Sequence, residues 1–216
     1  MDALETDDIL SAVSILLRRA CTVCLLVAMT ACTTGPPPPD DSEYLAAVAA
    51  ARAETNRFFL IDADSPVPPE KRDLLLPLSY YPIDSAFIVP AQLRLTEDRP
   101  VSQMPTSTGE IRRMQLVGVL EFTLQREPRS LGAFVEEGAP VDQLFVPFAD
   151  LTTGIDTYAA GRYLDIRPVS TGLYNIDFNR AYNPYCAYNE EYDCPYPPPS
   201  NRLSVAIQAG EKAPGA

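Results

Sequence analysis

From Phe87 onward the apolar positions fall on every second residue. Phe87, Val89, Ala91, Leu93 and Leu95 alternate with Ile88, Pro90, Gln92 and Arg94, and Leu116, Gly118, Leu120, Phe122 and Leu124 alternate with Val117, Val119, Glu121 and Thr123. Leu203, Val205, Ile207 and Ala209 repeat the pattern. A period of two sends successive side chains to opposite faces, so these stretches predict half-buried strands. Shorter runs at 144–148, 162–166 and 173–178 predict three more. Pro90 has no N–H for a ladder, which predicts an edge or bulged place for its strand.

Upstream the period is helical. Tyr44, Val48, Ala51, Thr55 and Phe58 fall near one face, and Arg52, Glu54 and Arg57 decorate the rest. Asp40 and Glu43 are spaced as a capping box, which predicts a helix from about Asp40 to Phe58. Ser65-Pro66-Val67-Pro68-Pro69 stops it. One leading helix followed by strands predicts a mainly β domain: an antiparallel β-sandwich or a partly open β-barrel with one N-terminal helix.

The chain begins with a different kind of segment. Arg18 and Arg19 precede an uncharged run from Ala20 to Ala31. It is shorter than the about 20 residues a spanning helix needs, and it suits the apolar core of a signal peptide. The acidic Asp2, Glu5, Asp7 and Asp8 do not suit such a signal and place the expected start of translation nearer Val13 or Leu16. The run ends in Thr30-Ala31-Cys32, which resembles a bacterial lipobox. That resemblance implies cleavage before Cys32, lipidation of its thiol and a membrane partner reached through the anchor. The alternative is plain secretion. Pro36 to Pro39 then form a short extended tether. The expected organisation is a signal peptide over 1–31, a tether over 32–40 and a single β-rich domain over 41–213, in the cell envelope and facing the periplasm or the exterior.

Composition removes several functions. The net charge is −12, with fifteen arginines and only two lysines, Lys71 and Lys212. No basic stripe is available for nucleic acid. The chain has no histidine, which excludes Ser-His-Asp and Cys-His catalysis and His-ligated metals. Acid–base work would fall to carboxylates, tyrosines, a cysteine or a lysine. No cofactor and no metal site is expected.

Cys186 and Cys194 are separated by seven residues. In an exported chain such a pair predicts a disulfide. A redox-active pair and a thiolate metal site are the alternatives, although two thiolates alone do not complete a tetrahedral site. Two polar clusters surround the later strands. One runs from Asp150 to Asp165, the other includes Asp177, Asn179, Arg180, Tyr182 and Asn183, and Asn201, Arg202, Glu211 and Lys212 close the chain; the functional reading is that all of these line one pocket. Arg162, Tyr163, Asp177, Asn179 and Arg180 are the candidate ligand-binding residues. The arginines would hold an anion or hydroxyl by forked contacts, Tyr163 would stack on a ring, and Asp177 and Asn179 would hydrogen-bond. The competing reading is that the same side chains satisfy their own loops.

The segments FVPFADLTTGIDTYAAGRYLDI, DFNRAYNPYCAYNEEYDCPYPPPSNRL and AGEK, with SPVPP and LSYYPID upstream, resemble the bacterial and archaeal family catalogued as domain of unknown function 1684. The resemblance runs from about Tyr44 to Lys212. It implies that the polar clusters are a shared core, and it carries over no catalytic residue. The leading functional reading is an envelope-anchored binding or accessory domain, whose partner is a small polar ligand or an envelope protein. A His-free enzyme working through Asp, Arg and Tyr is the alternative, and a thiol or metal protein at Cys186 and Cys194 is another.

Overall fold

A computed structural model describes residues 41–167 and 169–216. The expectations for the signal peptide, Cys32, the Pro-rich tether and the Asp40 cap lie outside the described residues.

Helix α1 spans Ser42–Ile61, starts behind Asp41 without a side-chain cap bond, and runs three residues beyond Phe58. Its inward face is rotated from the expected one. Val48 and Phe59 are buried and Arg52 is half-buried, whereas Ala51 is exposed. The many alanines of α1 give a weak apolar stripe, so the large side chains and Arg52 decide which face packs. Tyr44 donates to Asp177 Oδ1 at 2.9 Å, and Asn56 Oδ1 accepts from Leu78 N at 2.7 Å, pinning the helix at two levels. Phe59, Val67, Leu78 and Tyr188 form a small core beneath its C-terminal half. A single turn, α2 (Arg72–Leu75), follows the proline break.

Seven antiparallel strands make one sheet: β1 (Ile88–Leu95), β2 (Val101–Pro105), β3 (Ile111–Leu124), β4 (Glu127–Glu136), β5 (Leu144–Phe148), β6 (Arg162–Ile166) and β7 (Leu173–Asp177). Their order is β6-β5-β4-β3-β1-β7, with β2 paired to β3. The sheet curls into a half-barrel, so the mainly β, partly open barrel with one N-terminal helix is the architecture found. Two strands were not legible in the alternation, β2 and β4. Pro90 is not on an edge: β1 lies between β3 and β7. Pro90 pairs with Asn175, and the ladder to β3 begins only at Ala91. The missing N–H therefore falls where the β3 side has no ladder.

The long β3 changes face part-way. Its pairing with β4 runs from Leu116↔Phe134 to Gly118↔Ala133, leaving Val117 as the extra residue of a β-bulge. A bulge of one residue inverts the alternation. Met114, packed with Leu116, therefore joins Met104 and Phe134 in one cluster, while Val117, Leu120, Phe122 and Leu124 enter the main core. Gly118 fits the bend, because a Cβ there would stand 2.5 Å from Arg94 O.

The main core is closed by residues 203–209. Leu203, Val205, Ile207 and Ala209 are buried, as their alternation requires, yet the segment is not a strand of the sheet. Its first half is held by backbone bonds to the residues after β5, Leu203 N to Ala149 O at 2.8 Å and Leu151 N to Val205 O at 3.2 Å, and its second half by side chains. Arg162 Nη2 donates to Ile207 O at 2.8 Å, Nη1 donates to Ala209 O and to Glu211 O at 3.1 Å, and Asp150 Oδ1 accepts from Ile207 N at 3.2 Å. Asn201 performs the same service at the other end, bonding Gly132 N and O and Pro147 O at 2.7–2.9 Å.

Candidate functional site

The inward face of α1, the rim of the curled sheet and the C-terminal segment enclose a cavity of ≈ 960 Å³. Small-molecule sites run to about 1,000 Å³, so it is roomy for one such ligand. Val48, Arg52, Thr55 and Phe59 reach it from α1 at helical spacing. Arg52 is fixed as it arrives. Nη1 donates to Tyr81 O at 2.8 Å, Nη2 donates to Asn179 O at 3.2 Å, and the guanidinium lies 4.4 Å from the Tyr80 ring centroid.

Glu211 forms the floor. Gly210 turns the chain into it with φ 77°, and a Cβ there would stand 2.6 Å from Ala181 O, so only glycine fits. Glu211 is 4% exposed. Its Oε2 accepts from Tyr188 OH at 2.7 Å and from Asn183 N at 2.8 Å, and its Oε1 accepts from Tyr80 OH at 3.4 Å. Burial pushes its carboxyl above the usual range, and the Asn183 N–H, the tyrosine hydroxyls and Arg162 counteract this only in part. The same burial raises Tyr188, with the Glu211 charge adding to it. Asn183 is 2% exposed. Its Nδ2 donates to Lys212 O at 2.7 Å, which fixes the amide orientation, and its Oδ1 has no partner among the described residues.

One side wall is aromatic and polar. Tyr163 stands edge-on to Phe145, with ring centroids 4.7 Å apart, and to Tyr182 at 5.9 Å. Tyr182 donates to Asp165 Oδ2 at 2.8 Å, and burial raises its hydroxyl well above the ordinary value, with the Asp165 charge contributing. At the rim Cys186 and Cys194 form a disulfide with Cα atoms 6.2 Å apart. The closed loop carries Tyr192, whose ring meets that of Tyr185 at 5.2 Å. Ser107 holds the loop to the β2–β3 turn, donating to Tyr192 O and accepting from Cys194 N, both at 3.1 Å. The disulfide consumes both thiols that a metal site would have needed. Among the described residues no group of three His, Cys, Asp or Glu is placed to hold a metal ion, and no helix is long and apolar enough to cross a membrane.

The five residues singled out from the sequence divide. Tyr163, Asn179 and Arg180 line the cavity, and Arg162 and Asp177 do not. Arg162 is the correction of most consequence. It is fully buried, with Nη1 and Nη2 bonded to Asp150 Oδ2 at 3.0 Å and to the carbonyls of residues 207, 209 and 211 and with Nε unpartnered among the described residues, so it ties the core together instead of holding an anion. Asp177 caps its own turn. Oδ1 accepts from Asn179 N and Tyr44 OH, and Oδ2 from Arg180 Nε at 3.0 Å. Burial, with Asp177 as acceptor, pushes Tyr44 up to about 12. Asn179 is also turned inward, clasping the backbone of Asp84 at 3.0 and 2.8 Å. Tyr163 donates to Pro195 O and shows the cavity its ring. The 150–165 loop is thus satisfied largely from within. Of the residues that carry the floor and walls, Tyr182, Asn183 and Glu211 belonged to the polar clusters expected to line a pocket but not to the central five, and Arg52 and Tyr80 were not among the candidates. The signals for them were thin: an arginine in an alanine-rich helix, the second tyrosine cluster, and the acidic residue of the closing AGEK.

The family described as "Protein of unknown function (DUF1684)" matches residues 76–212. The chain belongs to this family. The DUF1684 match takes in Tyr80, Asp165, Tyr182, Asn183 and Glu211, and it begins after α1. No curated protein matches. Among solved structures, the solution NMR structure of an uncharacterized protein from gene locus rrnAC0354 of Haloarcula marismortui is 39% identical, covers 80% of this chain and 96% of its own, and superposes with a TM-score of 0.64.

Proposed function

We propose that this DUF1684 protein is an envelope-anchored binding protein, lipidated at Cys32, whose β-domain holds a small molecule between α1 and the rim of the sheet. The observation that carries the reading is the cavity: a space of ≈ 960 Å³ with aromatic walls and a few fixed polar groups, the chemistry of a binding site for a compact organic ligand. Its charged groups suit holding better than reacting. Each arginine on the lining is already paired or bonded to carbonyls, and Glu211 is immobilised by three donors. The lipobox-like Thr30-Ala31-Cys32 and the following prolines supply the membrane attachment in this reading.

The test is native mass spectrometry of the full-length protein extracted from the membranes of its own host. A retained compound is expected, and it should be lost from Thr55→Trp, which puts a large ring into the cavity from α1. A wild-type mass accounted for by chain and lipid alone would overturn the binding reading.

A further inference from the structure

The cavity's hydrogen-bonding and charge balance narrows the ligand. Three arginines and six carboxylates line it. The arginines are spoken for: Arg112 pairs with Asp193 at 2.9 Å and Glu136 at 3.9 Å, Arg180 pairs with Asp177 at 3.0 Å, and Arg52 is spread over two backbone carbonyls. The Arg52 Nε has no partner, but it is closed to solvent against the Tyr80 ring. Among the described residues, an anion entering the cavity would meet no arginine that lacks a carboxylate or carbonyl partner, although Arg180 uses only its Nε.

Acceptors are in the opposite position. Asn183 lines the cavity, and its Oδ1, itself closed to solvent, has no donor among the described residues. Glu211 is bonded only by neutral groups, two tyrosine hydroxyls and one backbone N–H, with its Oε1 reached only at 3.4 Å. The guanidinium groups nearest it, Arg52 and Arg162, are already held by carbonyls and Asp150. Asp165 is exposed, and its bonded oxygen meets a tyrosine hydroxyl, leaving Oδ1 open. Tyr80, Tyr182 and Phe59 present rings around these acceptors. A buried acceptor without a donor, two carboxylates, Glu211 and Asp165, without an arginine pair, and aromatic side chains on the same lining are together complementary to one chemical class. We propose that the ligand is a small organic cation carrying a protonated primary amine beside an apolar portion. The ammonium supplies three N–H donors, the carboxylates balance its charge, and the rings cover the rest. The chain's net charge of −12 concentrates such cations at its surface. This inference rests on the binding reading and specifies the ligand for the same cavity.

The experiment titrates the full-length protein in detergent by calorimetry with two matched series: benzylamine, benzyl alcohol and benzoate, and cadaverine, pentane-1,5-diol and glutarate. At least one amine should bind, with its alcohol and its carboxylate at least about tenfold weaker, the worth of a charged hydrogen bond. Asp165→Asn should weaken amine binding by about tenfold while leaving the thermal midpoint of the unliganded protein in place, because Asp165 is exposed. Equal binding of an alcohol, tighter binding of a carboxylate, or no binding of either amine overturns the cation inference. The binding reading stands or falls separately on the retained mass described above.

Discussion

Arg162 and Asp150 meet at 3.0 Å with both side chains closed to solvent, and between them they bond the backbone of residues 207–211. A β-strand is ordinarily held by the backbone of its neighbour. Here two side chains from the far end of the sheet take that role, and the residues they fix include Glu211 on the cavity floor.

Removing one partner therefore strands a buried charge and several carbonyls together. Arg162→Ala and Asp150→Ala should each destabilise the domain by about 3–5 kcal/mol, the cost of breaking a buried pair. Arg162→Lys should recover little, because one ammonium cannot reproduce the fork that reaches Asp150 and the carbonyls of residues 207, 209 and 211. Urea unfolding followed by tyrosine fluorescence measures this. Arginine variants that match the wild type would show that packing and the backbone bonds of Gly210 and Glu211 hold residues 207–211 without Arg162.

Asn201 makes a parallel case without charge. Its amide satisfies Gly132 N, Gly132 O and Pro147 O, all buried. Asn201→Ala should leave these groups unpaired at about 1–3 kcal/mol apiece, and Asn201→Asp should be no better, since a carboxylate cannot donate to the two carbonyls. The urea midpoint checks both.

Glu211 gives stability a pH dependence. Its carboxyl is raised in the folded chain, above the ordinary 4.5, chiefly by burial. In the window between the ordinary and the raised value the folded state holds a proton that the unfolded state has released. This contribution is complete below 4.5 and is lost as pH rises through the folded value. Depressed carboxyls such as Glu137 and Asp193 slope the other way, so the informative quantity is a difference. Wild type minus Glu211→Gln, measured by urea midpoint across about pH 4 to 8, should fall with rising pH. A flat or rising difference would place the Glu211 carboxyl at or below its ordinary range.

The disulfide closes a short loop that Ser107 holds to the β2–β3 turn. Replacing both cysteines by serine should cost about 2–3 kcal/mol on chain-entropy grounds. It should also raise proteolytic cleavage around Glu190 and Glu191, which are exposed at the loop tip. Limited proteolysis with a Glu-specific enzyme, with and without reductant, reads this directly.

For the proposed membrane attachment, Cys32→Ala should move the protein from the membrane fraction to the soluble fraction and lower its mass by the lipid. A variant that stays membrane-bound at unchanged size would remove the anchor from the functional reading.

The fold was legible where one face is buried and the other wet. β1, the second half of β3 and β7 follow the period of two, whereas β5 and β6, buried on both faces for most of their length, were legible only as short apolar runs. β4 was not visible because Leu131 to Val135 is buried on both faces, so nothing alternates, and Pro128 and Gly132 interrupt its composition. β2 is short, largely exposed, and leans on half of β3. The bulge at Val117 could not be read either, since the apolar run through it suits either register. The same limit applied to the site. Arg162 and Asp177 stood out by type, but polar residues in loops serve their own backbone as often as a ligand, and only packing separates the two. Glu211 and Asn183 gain their chemistry from burial, which short-range sequence does not express.

The segment from Asn201 to Glu211 follows all seven strands and is fastened by side chains and scattered backbone bonds, without joining the sheet as a further strand. The domain is therefore divisible at a natural seam. A chain ending before Asn201 would keep every strand pairing and present an empty slot walled by Leu131, Leu144 and Val146, with Arg162 and Asp150 waiting inside it. A separate peptide of residues 201–212 carries the complementary carbonyls and the cavity's own floor. Sheet and peptide should therefore behave as two halves of a complementation pair, which mixing them and following the recovery of structure by circular dichroism would test.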